Sequence, residues 1–422
     1  MIDIELFRKD PDIFKEEIEK RRLRIDVSRG LALDREKRDL TFRVDALRAR
    51  QNEASKIIPK LKGDEKEEVI SQMKEIKAGL EQLEKKLSDT LEEYRLHFSA
   101  YPNLSHGTTP VGPDESGNVV RSVIGEKPVF DCEPKNHIEL GTALDILDEE
   151  RAAKISGSRF VFLKNEAVLL EFALIQYVLN ILIARGFTPL IPPTLVREYA
   201  MYGTGFFPVE ASQYYKTELD DLYLIGTSEV PLCSYHGDEI LDIEDLPQKY
   251  AAFSTCFRRE AGTYGKDMGG MFRVHQFDKV EMFIFSHPDD SWQEYEKLEA
   301  ILEEIMKGLG LHYRIMDMCT GDIGTPNAKK YDLEAWLPGQ DSYRELASCS
   351  HDTDFQARRL NIKYKDGKKK GLVHTMNSTA CAVGRTLIAI YENYQDSQGN
   401  IAIPDALQPY MGGMKKISRE KK

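Results

Sequence analysis

The residues best able to do chemistry lie between positions 253 and 281 of a 422-residue chain. Phe253-Ser254-Thr255-Cys256-Phe257-Arg258-Arg259-Glu260 reads as a strand whose alternation puts Arg258 and Glu260 on one face. A glycine-rich loop follows, with Gly262, Gly265, Gly269 and Gly270 set around Tyr264, Lys266 and Asp267. A second strand is expected from Phe272 to about Phe285, with Arg273, His275, Phe277, Lys279 and Glu281 sharing a face. Paired antiparallel, the two strands would show arginines, a flat ring and carboxylates on one surface. A purine could stack on Phe277 while Arg258 and Arg273 clamp a triphosphate. Glu281 stands four residues beyond Phe277, about 13 Å along a strand, a separation that suits a second, cationic group. Taken alone, the pattern is equally that of an ordinary charged, solvent-facing sheet.

Three further segments add weight. Gly226-Thr227-Ser228-Glu229-Val230 is a small polar turn before an apolar residue. Tyr343-Arg344-Glu345-Leu346-Ala347-Ser348-Cys349-Ser350 sets a carboxylate close to hydroxyls. His374 to Arg385, containing Asn377-Ser378-Thr379, runs into a helix expected over Thr386 to Gln395, whose N-terminus favours anions. No Gly-x-x-x-x-Gly-Lys-Ser/Thr loop and no Gly-x-Gly-x-x-Gly turn is found. Bound phosphates would therefore rest on arginines. The six cysteines are scattered without a Cys-x-x-Cys pair and read as reduced thiols. Cys349 with His351 is a close pair, but it lacks the companions of a zinc site.

These residues need elements to position them, and the chain changes character along its length. In residues 1–100, Leu33, Leu40, Val44, Leu47, Ala54, Ile58 and Leu61 follow a 4-3 spacing, with Gln51 in one core slot. After a turn at Gly63-Asp64, Val69, Met73, Ile76, Leu80, Leu83, Leu87, Thr90 and Tyr94 continue it. Two such heptad arms joined by a short turn make an antiparallel coiled-coil hairpin, each arm roughly 45 Å long. Residues 101–110, rich in Pro, Gly and Ser, read as a linker. Beyond them strands and helices mix, which gives an α+β class. Asn165 to Arg185 reads as an apolar helix ending at Gly186. The prolines of Phe187 to Pro193 forbid a central strand and suit a sheet edge or a subunit interface. No uninterrupted apolar run of eighteen residues occurs, so no membrane span or membrane partner is expected, and the N-terminus lacks a secretory pattern. The net charge of −12 seems to oppose nucleic acid, but its distribution says otherwise. The first hundred residues carry 23 basic and 23 acidic side chains, so the whole excess lies in the remainder. Residues 35–62 hold nine basic and four acidic residues, and 64–98 hold six and ten. That asymmetry suits complementary arms, a basic ridge for phosphates, or both.

Together these segments resemble a seryl-tRNA synthetase of the bacterial type, a class II aminoacyl-tRNA synthetase, over essentially the whole chain. Cys256 to Gly262 and Phe272 to Phe277 resemble motif 2, and Gly384-Arg385-Thr386-Leu387 with Tyr391 to Gln395 resembles motif 3. Gly186 to Pro193 resembles motif 1, a dimer-interface element, and Tyr331 to Pro338 and Asp354 to Arg359 are also similar to the family. The resemblance implies an antiparallel sheet of about seven strands flanked by helices (residues 108–422) and a tRNA-binding hairpin domain (residues 1–107). It implies ATP at Arg258, Arg259, Glu260, Arg273, Val274, Phe277, Glu345, Leu346, Ala347, Ser348 and Arg385. Arg258, Arg385 and Glu345 would be catalytic, and Glu345 and Ser348 would hold Mg²⁺ with ATP. Serine would meet Thr227, Ser228, Glu229, Arg258, Glu281, Asn377 and Thr379. The hairpin would project from the sheet and meet the long variable arm of tRNA(Ser), and of tRNA(Sec), through Arg43, Arg48 and Arg50. A cytoplasmic homodimer that does not bind DNA is implied as well. The chain departs from the family at Asn377-Ser378-Thr379, where Asn-Gly-Ser is usual, and lacks an arginine common near Gly269-Gly270. His351 and Thr353 also replace residues usual there.

Overall fold

The computed structural model describes residues 1–261 and 269–419. It divides into two compact units, residues 2–19 with 23–101, and residues 102–422 together with Met1 and 20–22.

The smaller unit is the expected hairpin. Helix α1 spans Val27–Ile57 and α2 spans Asp64–Ser99. Asp26 caps α1 by accepting from the Arg29 amide at 3.0 Å. Gly63, with φ 58°, takes the left-handed turn between the arms, and Asp64, Glu65 and Glu67 sit favourably at the α2 N-terminus. The heptad positions form the seam: Leu33, Leu40, Val44, Leu80, Thr90 and Tyr94 are buried, while Leu47, Ala54, Met73 and Ile76 are half-buried. The seam is drier toward the start of α1 and the end of α2, where Phe7, Phe14, Phe98 and Tyr101 pack edge-on or stacked at 5.3–6.4 Å between ring centroids. A lone pair of helices has no third element to cover its far half.

The larger unit is built on one sheet that has eight strands among the described residues. They are β1 (Val119–Ile124), β2 (Thr188–Leu190), β3 (Gln248–Phe257), β4 (Gln276–Ser286), β5 (Tyr313–Asp317), β6 (Lys329–Leu337), β7 (Ser342–Thr353) and β8 (His374–Ala382). Their order is β1-β5-β6-β7-β8-β4-β3-β2, antiparallel throughout except for the parallel pair β2–β3. Pro189 lies in β2, at the sheet edge, where a missing N–H costs no ladder bond. One face of the sheet is covered by α3 (Glu166–Ala184), α5 (Ser291–Gly308) and α6 (Val383–Asn393), whose buried residues share one core with the sheet.

Helix α3 has mean hydropathy 2.1, long and apolar enough by composition to cross a membrane. Glu171, Gln176 and Asn180 interrupt its apolar run, as the sequence reading had it, yet its hydropathy stays high. The cause is that two faces of this helix are apolar: Leu170, Ala173, Leu174, Val178 and Leu182 enter the core, while Leu169, Phe172 and Ile183 are exposed. All six cysteines are free. His351 stacks on Trp292 at 3.9 Å, and no group of three or more His, Cys, Asp or Glu able to hold a metal occurs among the described residues.

Candidate active site

The other face of the sheet carries a cavity of about 550 Å³, the size of a small-molecule site. On β4, alternation places Phe277, Lys279 and Glu281 in its wall, while Val280 and Met282 enter the core. On β7 and β8, alternation alone would fail. Leu333 pairs with Ala347 and Glu334 with Glu345, so Leu346 is an extra, bulged residue. That bulge lets Glu345 and Ser348, three residues apart, both line the cavity. A second bulge at Ala380 keeps Asn377, Thr379 and Ala382 on the cavity side.

One end is cationic. Arg258 follows β3; its Nε donates to Gly226 O at 3.1 Å, and its guanidinium lies 5.4 Å from the Phe277 ring centroid. Arg385, in the first turn of α6, donates through Nη1 to Glu345 O at 3.0 Å and stands 3.2 Å from Glu345 Oε2. Burial alone would push the Glu345 carboxyl up, but Arg385, Lys330 and Arg258 outweigh it and hold it at about 2. Arg273 Nη1 pairs with Glu260 Oε2 at 2.7 Å.

The strand boundaries correct the sequence expectation here. β3 ends at Phe257, and Glu260 takes φ 49°, so Arg258 and Glu260 do not share a strand face. β4 begins at Gln276, so Arg273 and Val274 reach the cavity from an irregular approach. His275 lies outside the lining, its Nδ1 donating to Arg258 O at 2.9 Å. Arg259 is exposed, 6.0 Å from the Tyr215 ring, and does not line the cavity; nor does Ala347. The loop residues Gly262, Tyr264, Gly265, Lys266 and Asp267 lie outside the described residues.

The other end is acidic and closed. Glu281, 1% exposed, accepts from Asn377 Nδ2 at 3.1 Å and from Thr379 Oγ1 at 3.2 Å, and pairs with Lys279. Glu229 opens the short helix α4 (Glu229–Cys233) and accepts from Gln356 Nε2 at 2.8 Å. Burial, then Asp352 and Glu281, push its carboxyl up to about 8. Asp352 is itself raised to about 7 by burial, against the hydrogen bond it accepts from Asn327 Nδ2 at 2.6 Å. Ser228 points elsewhere, sharing a 2.6 Å hydrogen bond with Ser254. The sequence reading assigned no role to Lys279, Lys330 or Asn327, although all three line the cavity. Lys279 had a signal, its place between Phe277 and Glu281 in the alternation; Asn327 lies in a loop without one.

An arginine-walled pocket facing a buried carboxylate suits a nucleotide beside an amino acid. Two family models match: the seryl-tRNA synthetase N-terminal domain over residues 1–105, and the class II core domain of tRNA synthetases for G, H, P, S and T over residues 209–394. A serine–tRNA ligase from Thermodesulfovibrio yellowstonii is 43% identical over 98% of this chain and 99% of its own. The chain belongs to the seryl-tRNA synthetase family.

Seryl-tRNA synthetases with solved structures share the whole fold. That of Pyrococcus horikoshii, complexed with ATP, superposes with a TM-score of 0.89 at 40% identity over all of both chains. The cytoplasmic serine–tRNA ligase of Naegleria fowleri, in complex with AMP, gives 0.85 at 33% over 100% of this chain and 99% of its own. The class II fold read from the sequence is thus the observed one, its sheet having eight strands among the described residues where about seven were expected. As a serine–tRNA ligase, the chain activates serine and charges tRNA.

Proposed function

We propose that the cavity binds ATP across Phe277 and the arginines, with serine at Glu281. The observation that carries this reading is the polarity of the cavity: arginines at one end, a buried carboxylate with paired hydroxyl and amide donors at the other. The ATP and AMP in the two solved relatives support it. Adenine stacks on Phe277 beside the Val274 backbone, and Glu260 holds the adenine end while fixing Arg273. Arg258 meets the α-phosphate, and Arg273 and Arg385 meet the outer phosphates. Thr227 and Glu281 receive the ammonium of serine, and Asn377 and Thr379 approach its hydroxyl. A carboxylate is a nucleophile at neutral pH, so attack on the α-phosphorus needs no general base. The chain supplies position and charge stabilisation.

The donors at Glu345 and Ser348 fit Mg²⁺: one is an ionised carboxylate and the other a hydroxyl, both hard oxygen ligands on one wall. Bound with ATP, Mg²⁺ would neutralise charge on the phosphate oxygens. A site of two protein ligands suits an ion that arrives with its nucleotide.

Residues 1–107 form the tRNA-binding part in this reading, and residues 108–422 the catalytic part. The basic arm meets the variable arm of tRNA(Ser), and tRNA(Sec) is a second substrate. The exposed apolar stripe of α3 with Ile191 is a homodimer face, and the enzyme works in the cytoplasm.

ATP–pyrophosphate exchange with each of the twenty amino acids, then charging of tRNA(Ser) and tRNA(Sec) transcripts, tests this. Serine alone should drive exchange, and both transcripts should accept it. Exchange driven by another amino acid would overturn the pocket assignment.

A further inference from the structure

The acidic end of the cavity already holds an ammonium of its own. Lys279 is 5% exposed and lies in the cavity wall. Its Nζ donates to Thr227 Oγ1 at 2.7 Å and to Thr379 Oγ1 at 3.5 Å, and it forms an ion pair with Glu281. Those are the groups assigned above to serine. A primary ammonium on a flexible stem has the same three donors as the α-ammonium of an amino acid. Both cannot hold Thr227 and Glu281 at once without crowding two cations into one closed space.

We propose that Lys279 is a tethered stand-in for the substrate ammonium, which occupies the empty amino-acid subsite and is exchanged for the ammonium of serine on binding. This deepens, and rests on, the assignment of Glu281 to that ammonium. The acids around the pocket explain why a stand-in is useful. Glu281 is buried, Glu229 and Asp352 interact with it or with each other, and Arg258 serves the far end of the cavity. An unpaired carboxylate there is costly, and Lys279 keeps it paired between turnovers. Exchange of one ammonium for another leaves the charge at Glu281 unaltered. A ligand with a hydroxyl in place of the ammonium cannot make the exchange, so the device also selects amino acids against hydroxy acids. Its cost is competition: only the fraction of molecules in which Lys279 has swung away can take serine, and the apparent affinity falls by that fraction.

Serine-dependent exchange tests this with two neutral variants. Lys279→Met keeps most of the stem volume without the charge. Its KM for serine should fall ~10-fold while kcat changes far less. In Lys279→Ala, methylammonium chloride should inhibit competitively against serine, with sodium chloride as the control. The wild type should resist the same concentration, because its own ammonium is tethered at high effective concentration. A collapse of kcat with unchanged KM, or restoration of Lys279→Ala by methylammonium, would place Lys279 on the reacting atoms and overturn the proposal. Should the neutral variants not fold, Lys279→Arg serves: a guanidinium that grips Glu281 bidentately vacates less readily, so KM should rise with kcat kept, and an unchanged KM overturns the idea. Glu281→Gln separates the two readings. If it leaves the serine KM unchanged, the Glu281 assignment itself fails; if it raises KM while the Lys279 variants behave otherwise, only the stand-in fails.

Discussion

Arg258 is held by what surrounds it more than by a salt bridge. A carbonyl at Gly226 fixes Nε, and the Phe277 ring supports the guanidinium face. Its remaining donors are thus set toward the cavity, where charge would develop on the α-phosphate. Arg258→Ala should cut exchange kcat by roughly 10²–10³-fold. Arg258→Lys should recover little of it, since an ammonium lacks the planar fork. Steady-state exchange kinetics decide both, and full activity in the alanine variant would remove Arg258 from the reaction. At this scale the sequence was most legible where period two holds. Phe277, Lys279 and Glu281 share a wall as alternation requires. The facing of their neighbours was less legible: Arg259 lies exposed beside Tyr215 and Ser228 bonds to Ser254, both outside the cavity lining. Local burial decides such phases, and the composition of a segment does not show it.

Among the elements, the hairpin was the most legible, because a heptad seam is a strictly local pattern and every seam position is at least half-buried. What the pattern could not resolve is which charges are free to act. Arg48 reaches across to Glu84 at 2.7 Å, bridging the arms. Arg43 and Arg50, one heptad apart on α1, both lie exposed; Arg43 makes a 3.5 Å contact to Asp39 within its own helix. The phosphate-facing and hairpin-pairing readings of the basic arm thus divide between residues. Charge reversal at Arg43 and Arg50 should lower kcat/KM for tRNA charging at least ~10-fold and flatten its salt dependence, with serine-dependent exchange unchanged. Equal tRNA affinity in a filter-binding titration would remove the ridge from tRNA recognition. The bulges at Leu346 and Ala380 were illegible. A one-residue register shift is set by how two strands meet, and the sequence of either strand alone carries no mark of it.

For the whole molecule, net charge said least. The acidic excess lies outside the hairpin, yet the cavity is walled by arginines. The exposed stripe of Leu169, Phe172 and Ile183 on α3, with Ile191 at 85% exposure, is apolar surface that a water-facing helix would not keep. Phe172→Glu with Ile191→Glu should convert a dimer to a monomer in sedimentation velocity, and an unaltered dimer would place the interface elsewhere. Stability should also carry the mark of the buried acids. Burial, then Asp278, raises Glu171 to about 8; burial, then Asp352, raises Glu229 to about 8; burial raises Asp352 to about 7. Unfolded, such carboxyls titrate near 4. Between these values the folded chain keeps protons that the unfolded chain has released, so stability falls as pH rises. The contribution is complete below about pH 4 and is lost as pH passes 7 to 8. Glu345, held near 2, works in the opposite sense, but only below its unfolded value, so it adds no slope at neutral pH. The ligand-free enzyme should therefore melt lower at pH 9 than at pH 6 in differential scanning calorimetry. Glu229→Gln with Asp352→Asn keeps the hydrogen-bonding shape and removes two of the titrations, so the fall should become shallower. An equally steep fall in that double variant would mean that the pocket acids are already ionised in the folded chain, and that the proton reserve lies elsewhere.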